Sequence, residues 1–158
     1  MDSSFDIILT GGDIVLPSMK IERTDIGITN SKINELGDLS RAKCKERLDL
    51  KGLLVIPGAI DTQVHFREPG LTHKEDIYHG TKGAILGGVT TIFEMPNTNP
   101  PTTDSFELKK KIKIAEKNAF CNFSFFIGAS KDNIKNINKL ENEPGCCGVK
   151  IFMGSSTG

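Results

Sequence analysis

After Pro57 the chain alternates strand-like and helix-like segments without exception, and this alternation constrains its fold more than any other feature. The apolar stretches AIDTQVHF (59–66), VTTIFEMP (89–96), CNFSFFIG (121–128) and GVKIFMG (148–154) are each separated by a segment of helical spacing. Strand and helix in strict succession is the pattern of βα units on a parallel sheet. Before Pro57 the period is two: FDIIL, DIVLP, IGITN, KINEL and LLVIP are short runs punctuated by Gly, Asn, Pro and Ser. These predict hairpins of a small antiparallel sheet.

The helices have bounding signals. Ile77, Thr81, Ala84 and Ile85 share one helical face, and so do Leu108, Ile112 and Ala115. Thr72 with Glu75 three residues on reads as a capping box, the pair Gly87 and Gly88 as a stop, and Asp104 or Ser105 as the cap of the second helix. A third helix is expected over about 132–142, ahead of the Pro144 and Gly145 break. Four strands and three crossovers make half of a (β/α)8 barrel, which needs about 250 residues. No GxGxxG marks an open dinucleotide-binding sheet. The expected organisation is therefore a small antiparallel sheet over 1–56 and the first four strands and three helices of a barrel over 57–158, with the chain as the N-terminal part of something longer.

Composition narrows the partner. Among 158 residues, 20 basic and 20 acidic side chains cancel, so neither a nucleic-acid surface nor an anionic membrane is expected. The three consecutive lysines at 109–111 read as a solvated helix face. No apolar run approaches the length of a membrane span and the first residues, MDSSFD, are acidic, which points to the cytoplasm. The four cysteines show no CxxC spacing and read as buried free thiols. A small molecule is the expected partner.

The chemistry concentrates at strand ends. In PGAIDTQVHFREPG (57–70), Asp61, Gln63 and His65 fall on alternate positions and so on one face, leading into the REPG loop. Both faces of a parallel sheet are normally covered, so polar groups there must be paired or bound to something. Barrel chemistry sits at the C-terminal ends of the strands. His65 is a candidate zinc ligand, with Asp61 as the acceptor for its second ring nitrogen; a satisfied core histidine is the plain alternative. Lys150, between Val149 and Ile151, is expected to be buried. Burial lowers a lysine's pKa, and a neutral amine can take up carbon dioxide as a carbamate that bridges two cations. A lysine reaching out to water from a strand end is the other reading. Glu94 is either an acceptor inside the barrel or the partner of a lysine. His73 and His79 read as exposed, although His73 could line the mouth, and the final SSTG as a loop near the substrate.

Three stretches, DTQVHFREPGLTHKED (61–76), GGVTTIFEMPNTNPPT (87–102) and VKIFMGSSTG (149–158), resemble the dihydroorotase branch of the cyclic amidohydrolase family, and the likeness runs from about Leu53 onward. HFREPG followed some thirty residues later by EMPNTNPPT is a specific pairing. The resemblance implies a metal-dependent (β/α)8 barrel with a small β-sandwich, so that 1–56 is expected to be the β-sandwich segment. It implies that His65 is the second histidine of an HxH zinc pair, and that Lys150 is carbamylated between two zinc ions. It further implies that Arg67 and Asn97 hold the substrate's carboxylate, which suits a bidentate guanidinium and a directional amide. Gln63 stands where the family carries its first histidine, and an amide oxygen is a poorer zinc ligand than imidazole. A weakened two-metal site, a one-metal enzyme and a non-catalytic homologue acting as a scaffold are all compatible with that residue. The implied activity is interconversion of L-dihydroorotate and N-carbamoyl-L-aspartate in pyrimidine synthesis, with a hydantoinase- or allantoinase-like enzyme as the rival. The implied general acid/base aspartate lies outside this chain, so the 158 residues alone are expected to be inactive. The implied partners are the small substrate and, in a homodimer, a second copy.

Overall fold

A computed structural model describes residues 4–154. The chain divides into two compact units, Met1–Pro57 and Gly58–Gly158, at the proline where the hydrophobic period changes.

The first unit is all β. Its strands are β1 (Phe5–Thr10), β2 (Asp13–Val15), β3 (Ile21–Arg23), β4 (Asp25–Thr29), β5 (Lys32–Gly37), β6 (Cys44–Asp49) and β7 (Leu54–Val55). They form two sheets, β5-β4-β1-β6 and β3-β2-β7. The hairpin expected between β4 and β5 turns at Asn30 and Ser31, whose φ of 51° and 59° are the left-handed pair of a type I′ turn. The sheets are mixed rather than purely antiparallel, because β6 runs parallel to β1 and β7 parallel to β2. Short-period patterning marks the strands but says nothing of which distant strand lies alongside. Phe5, Ile8 and Leu39 form the core, packed by Ala42 and Cys44. Gly27 is required there, since a Cβ would fall 2.5 Å from the Phe5 ring.

The second unit carries β8 (Ala59–Val64), α1 (Ile77–Leu86), β9 (Val89–Glu94), α2 (Ser105–Asn118), β10 (Asn122–Gly128), α3 (Ile137–Glu141) and β11 (Cys146–Lys150). Its sheet has the order β11-β10-β9-β8, and every pairing is parallel. One face of the sheet is closed by helices. Ile77 of α1, Leu108 and Ala115 of α2, Phe125 and Ile127 of β10, and Leu140 of α3 form its core. Each of the larger of these side chains, the Ile, Leu and Phe, contributes about 1.5–3 kcal/mol when withdrawn from water. On the opposite face Phe93 and Phe126 meet edge to face, with centroids 6.5 Å apart.

The helix ends correct two expectations. Asp76, not Thr72, caps α1: its carboxylate accepts the His79 N–H at 2.7 Å, while Glu68 Oε2 accepts the Ile77 N–H at 2.9 Å. Thr72 instead lies in a turn that holds Leu71 and Lys74 by backbone bonds to Arg67 and Leu71. Asp104 caps α2 as expected, accepting from Glu107 N at 2.8 Å. The third helical segment is broken, with a 3-10 turn over Ile134–Asn136 preceding the five-residue α3. Ile85, placed on the apolar face of α1 by its spacing, is exposed.

Candidate functional site

Two loops leave the C-terminal ends of β8 and β9 side by side, joined by the bond from Met95 N to Val64 O at 3.0 Å. The β8 loop carries HFREPG and the β9 loop MPNTNPPT. They lock together further out, where Asn99 N donates to Pro69 O at 3.1 Å and Gly70, with φ of 88°, passes so close that a Cβ would lie 1.9 Å from the Asn99 carbonyl oxygen. Only glycine fits at that crossing.

This junction brings His65, Arg67 and Asn97 together. His65 Nδ1 lies 2.9 Å from Asn97 Oδ1. An amide oxygen only accepts, so Nδ1 carries the proton and the Nε2 lone pair is the one able to face a cation. Arg67 donates from Nη1 to the Asn97 carbonyl at 3.3 Å and adopts φ of 66°, a left-handed conformation rare outside glycine. Asn97 itself is 8% exposed. The acceptor for His65 is therefore Asn97, not the Asp61 that alternation suggested. Between Asp61 and Val64 the pairing with β9 slips, three steps of β8 spanning two of β9. The slip interrupts the single polar face expected of Asp61, Gln63 and His65. Asp61 folds back to accept the Gln63 N–H at 3.0 Å, and both residues are exposed.

Lys150 ends β11 opposite Gly128. It is half-buried rather than enclosed on both faces, and its ammonium sits 5.4 Å from the Phe152 ring centroid. In the described sheet β8 and β11 are the outer strands, three spacings or about 14 Å apart measured along the sheet. No contact joins His65 to Lys150 among the described residues, and no group of three or more His, Cys, Asp or Glu side chains there could hold a metal ion. The donors this chain offers are the Nε2 of His65, the Gln63 amide oxygen and the Lys150 amine. They suit a zinc site in kind, and would need further ligands from outside these residues.

On the helix-covered face lies a pair that sequence reasoning half missed. Glu94, at the end of β9, and Lys111, in the middle of α2, are fully buried, with Lys111 Nζ 2.7 Å from Glu94 Oε2. Glu94 resolves to the lysine-partner reading, whereas Lys111 is not on the solvated face assigned to it. Its neighbours Lys109 and Lys110 are exposed, pairing with Glu143 and Glu107. A signal existed: Leu108, Lys111 and Ala115 follow the i, i+3, i+7 spacing of the buried stripe. The ammonium also donates to Met95 O at 3.1 Å and approaches Thr102 Oγ1 at 3.4 Å, over the Phe125 ring. Burial pushes the Glu94 carboxyl up, opposed by the Lys111 charge and by the backbone N–H groups of Arg67 and Phe66. Burial pushes the Lys111 amine down, opposed by Glu94. Neither Glu94 oxygen receives a well-aligned hydrogen bond, so the contact with Lys111 is held mainly by charge.

The remaining candidates are plain. His79 is exposed and pairs with its own cap, Asp76, at 2.8 Å, and His73 is exposed. All four cysteines are free and half-buried rather than fully buried; burial raises the thiol pKa of Cys121 and Cys147. The SSTG loop lies outside the described residues. No helix among the described residues is long and apolar enough to cross a membrane.

Residues 54–147 match the amidohydrolase family, and the chain belongs to that family. Its architecture is the N-terminal portion of a (β/α)8 amidohydrolase barrel preceded by a small β-sandwich. Over 157 residues it is 37% identical to an allantoinase of Rubrobacter xylanophilus, covering 99% of this chain and 34% of the relative. Over 145 residues it is 38% identical to a dihydroorotase of Methanothermobacter thermautotrophicus, covering 89% and 32%. Its fold is similar to that of the L-hydantoinase (dihydropyrimidinase) of Arthrobacter aurescens, with a TM-score of 0.89 and 30% identity over 96% of this chain and 34% of that one. The chain thus spans about a third of the length of these relatives.

Proposed function

We propose that the whole protein is a zinc-dependent cyclic amidohydrolase, and that it acts as a dihydroorotase in cytoplasmic pyrimidine synthesis. The observation that carries this reading is the His65, Asn97 and Arg67 junction, in which a candidate metal ligand and a candidate carboxylate clamp share one hydrogen-bonded unit. His65 Nε2, the Gln63 amide oxygen and Lys150, as a carbamate, would hold the metal. Zinc bound there would polarise the ring amide carbonyl and lower the pKa of a water towards neutrality. Arg67 and Asn97 grip the substrate carboxylate, the guanidinium supplying charge and paired donors and the amide nitrogen a directed third. Because Asn97 also orients the imidazole, the clamp fixes the scissile bond relative to the metal ligand. The general acid/base comes from residues outside this chain, so these 158 residues alone do not turn over.

The test is Arg67→Ala in the full-length protein. Loss of charge-assisted bonds worth about 1.5–3 kcal/mol predicts a KM for dihydroorotate raised by roughly ten- to a hundredfold, with zinc content unchanged. An unaltered KM would remove the carboxylate role. A second reading, ring hydrolysis of allantoin or a hydantoin, draws on the allantoinase and L-hydantoinase similarities; turnover of those substrates in preference to dihydroorotate would establish it. Full-length protein that binds no zinc at all would favour the non-catalytic scaffold, for which the exposed Gln63 is the motive.

A further inference from the structure

We propose that the buried Glu94 and Lys111 pair is a positioning device for the carboxylate clamp, setting the backbone of Arg67 from one side and that of Asn97 from the other. The proposal rests on the reading of Arg67 and Asn97 as carboxylate ligands.

Stability does not account for the pair. A buried ion pair can usually be replaced by apolar side chains of similar volume without loss, because desolvating two charges offsets their attraction. Its contacts instead run to the two site loops. The Lys111 ammonium donates to Met95 O, two residues before Asn97, and approaches Thr102 Oγ1 at 3.4 Å. Thr102 Oγ1 lies 3.3 Å from Thr98 Oγ1, and that hydroxyl donates to Pro100 O at 2.9 Å. The chain of contacts therefore touches the β9 loop on both sides of Asn97. Across the pair, the Glu94 carboxylate lies near the backbone N–H groups of Phe66 and Arg67 without a well-aligned hydrogen bond, and acts on them through its charge. Arg67 needs such support, because its φ of 66° costs about 1–2 kcal/mol for a residue with a Cβ. One dry ion pair thereby couples the two loops whose side chains meet at Asn97, and a shift of either loop would misalign the guanidinium against the amide.

The test compares two double variants in the full-length, zinc-loaded protein. E94Q/K111M keeps an oxygen near the Arg67 and Phe66 N–H groups, whereas E94M/K111M removes it. A positioning role predicts that E94M/K111M folds with a KM for dihydroorotate raised about tenfold and kcat altered less than about threefold, and that E94Q/K111M restores most of the KM. In 15N spectra the Arg67 and Asn97 amide resonances move in E94M/K111M and return towards their wild-type positions in E94Q/K111M. Should E94M/K111M fail to fold, Thr102→Val, which deletes the hydroxyl between Lys111 and Thr98, takes its place with a KM raised about threefold. A folded E94M/K111M, or in its place a folded Thr102→Val, with wild-type KM and unmoved amides overturns the proposal. That outcome is separate from failure of the clamp reading itself, which shows as an unaltered KM in Arg67→Ala and overturns both.

Discussion

Lys111 and Lys150 belong to one compact unit, the first on a helix and the second on a strand, and live in opposite environments. Lys111 projects from α2 onto the helix-covered face, fully buried, within 2.7 Å of Glu94. Lys150 ends an outer strand, half-buried and 5.4 Å from the Phe152 ring. The residue on the charged helix is the dry one, and the residue between two apolar strand neighbours is partly wet. Burial is decided by which surface an element turns towards the core, and local polarity is a poor guide to it. The difference also separates two uses of a lysine. Lys111 is held by a partner and by a backbone acceptor, Met95 O, while Lys150 keeps access to solvent at the C-terminal end of its strand.

That contrast can be broken most forcefully at Lys111. Lys111→Met leaves Glu94 buried without its counter-charge, and is expected to lower unfolding free energy by about 3–5 kcal/mol at neutral pH, measured by urea denaturation. The pH dependence gives an independent check. Removing the lysine removes the charge that opposes desolvation of Glu94, so the folded-state carboxyl pKa stays above its unfolded value. The folded protein then binds more protons than the unfolded chain between those two values, and the variant gains stability as pH falls from neutral towards the ordinary glutamate range. A variant whose stability is flat or falling over that interval would show that Glu94 has found another partner.

Lys150→Met should cost little by comparison, about 0.5–1 kcal/mol, because only a cation–π contact is lost from a half-exposed site. Its expected signature is loss of zinc from the full-length protein, read by metal analysis; a loss of stability as large as that of Lys111→Met would place it among the buried pairs instead. Lys109→Met sets the floor. Its pair with Glu143 spans 3.4 Å with the lysine 62% exposed, so a change within about 0.5 kcal/mol is expected. A larger effect would mean that the three-lysine run acts as a unit.

Much of the site was legible in the residues. His65, Arg67 and Asn97 stand in two separate motifs, and the structure joins them through the Asn97 side chain and carbonyl. Asp61 was misassigned because alternation presumes an unbroken ladder, and the slip between Asp61 and Val64 breaks it. Thr72 lost the cap of α1 because the helix begins at Ile77, where its own N-cap Asp76 and Glu68 from the REPG turn accept the first free N–H groups. The parallel pairing of β6 with β1 had no local signal at all, since its partners are far apart in sequence.

From the amino-acid order alone came the change of period at Pro57, the four βα strands and the two motifs whose loops meet at Asn97. These are local properties, set by which side chains recur at two or at 3.6 residues and by where glycine and proline interrupt them. Tertiary structure decided which acceptor orients His65, which of three adjacent lysines is dry, and that Glu94 faces helix rather than barrel interior. Each depends on a contact between segments distant in the chain, and a contact energy of that kind exists only once packing has excluded water from both partners.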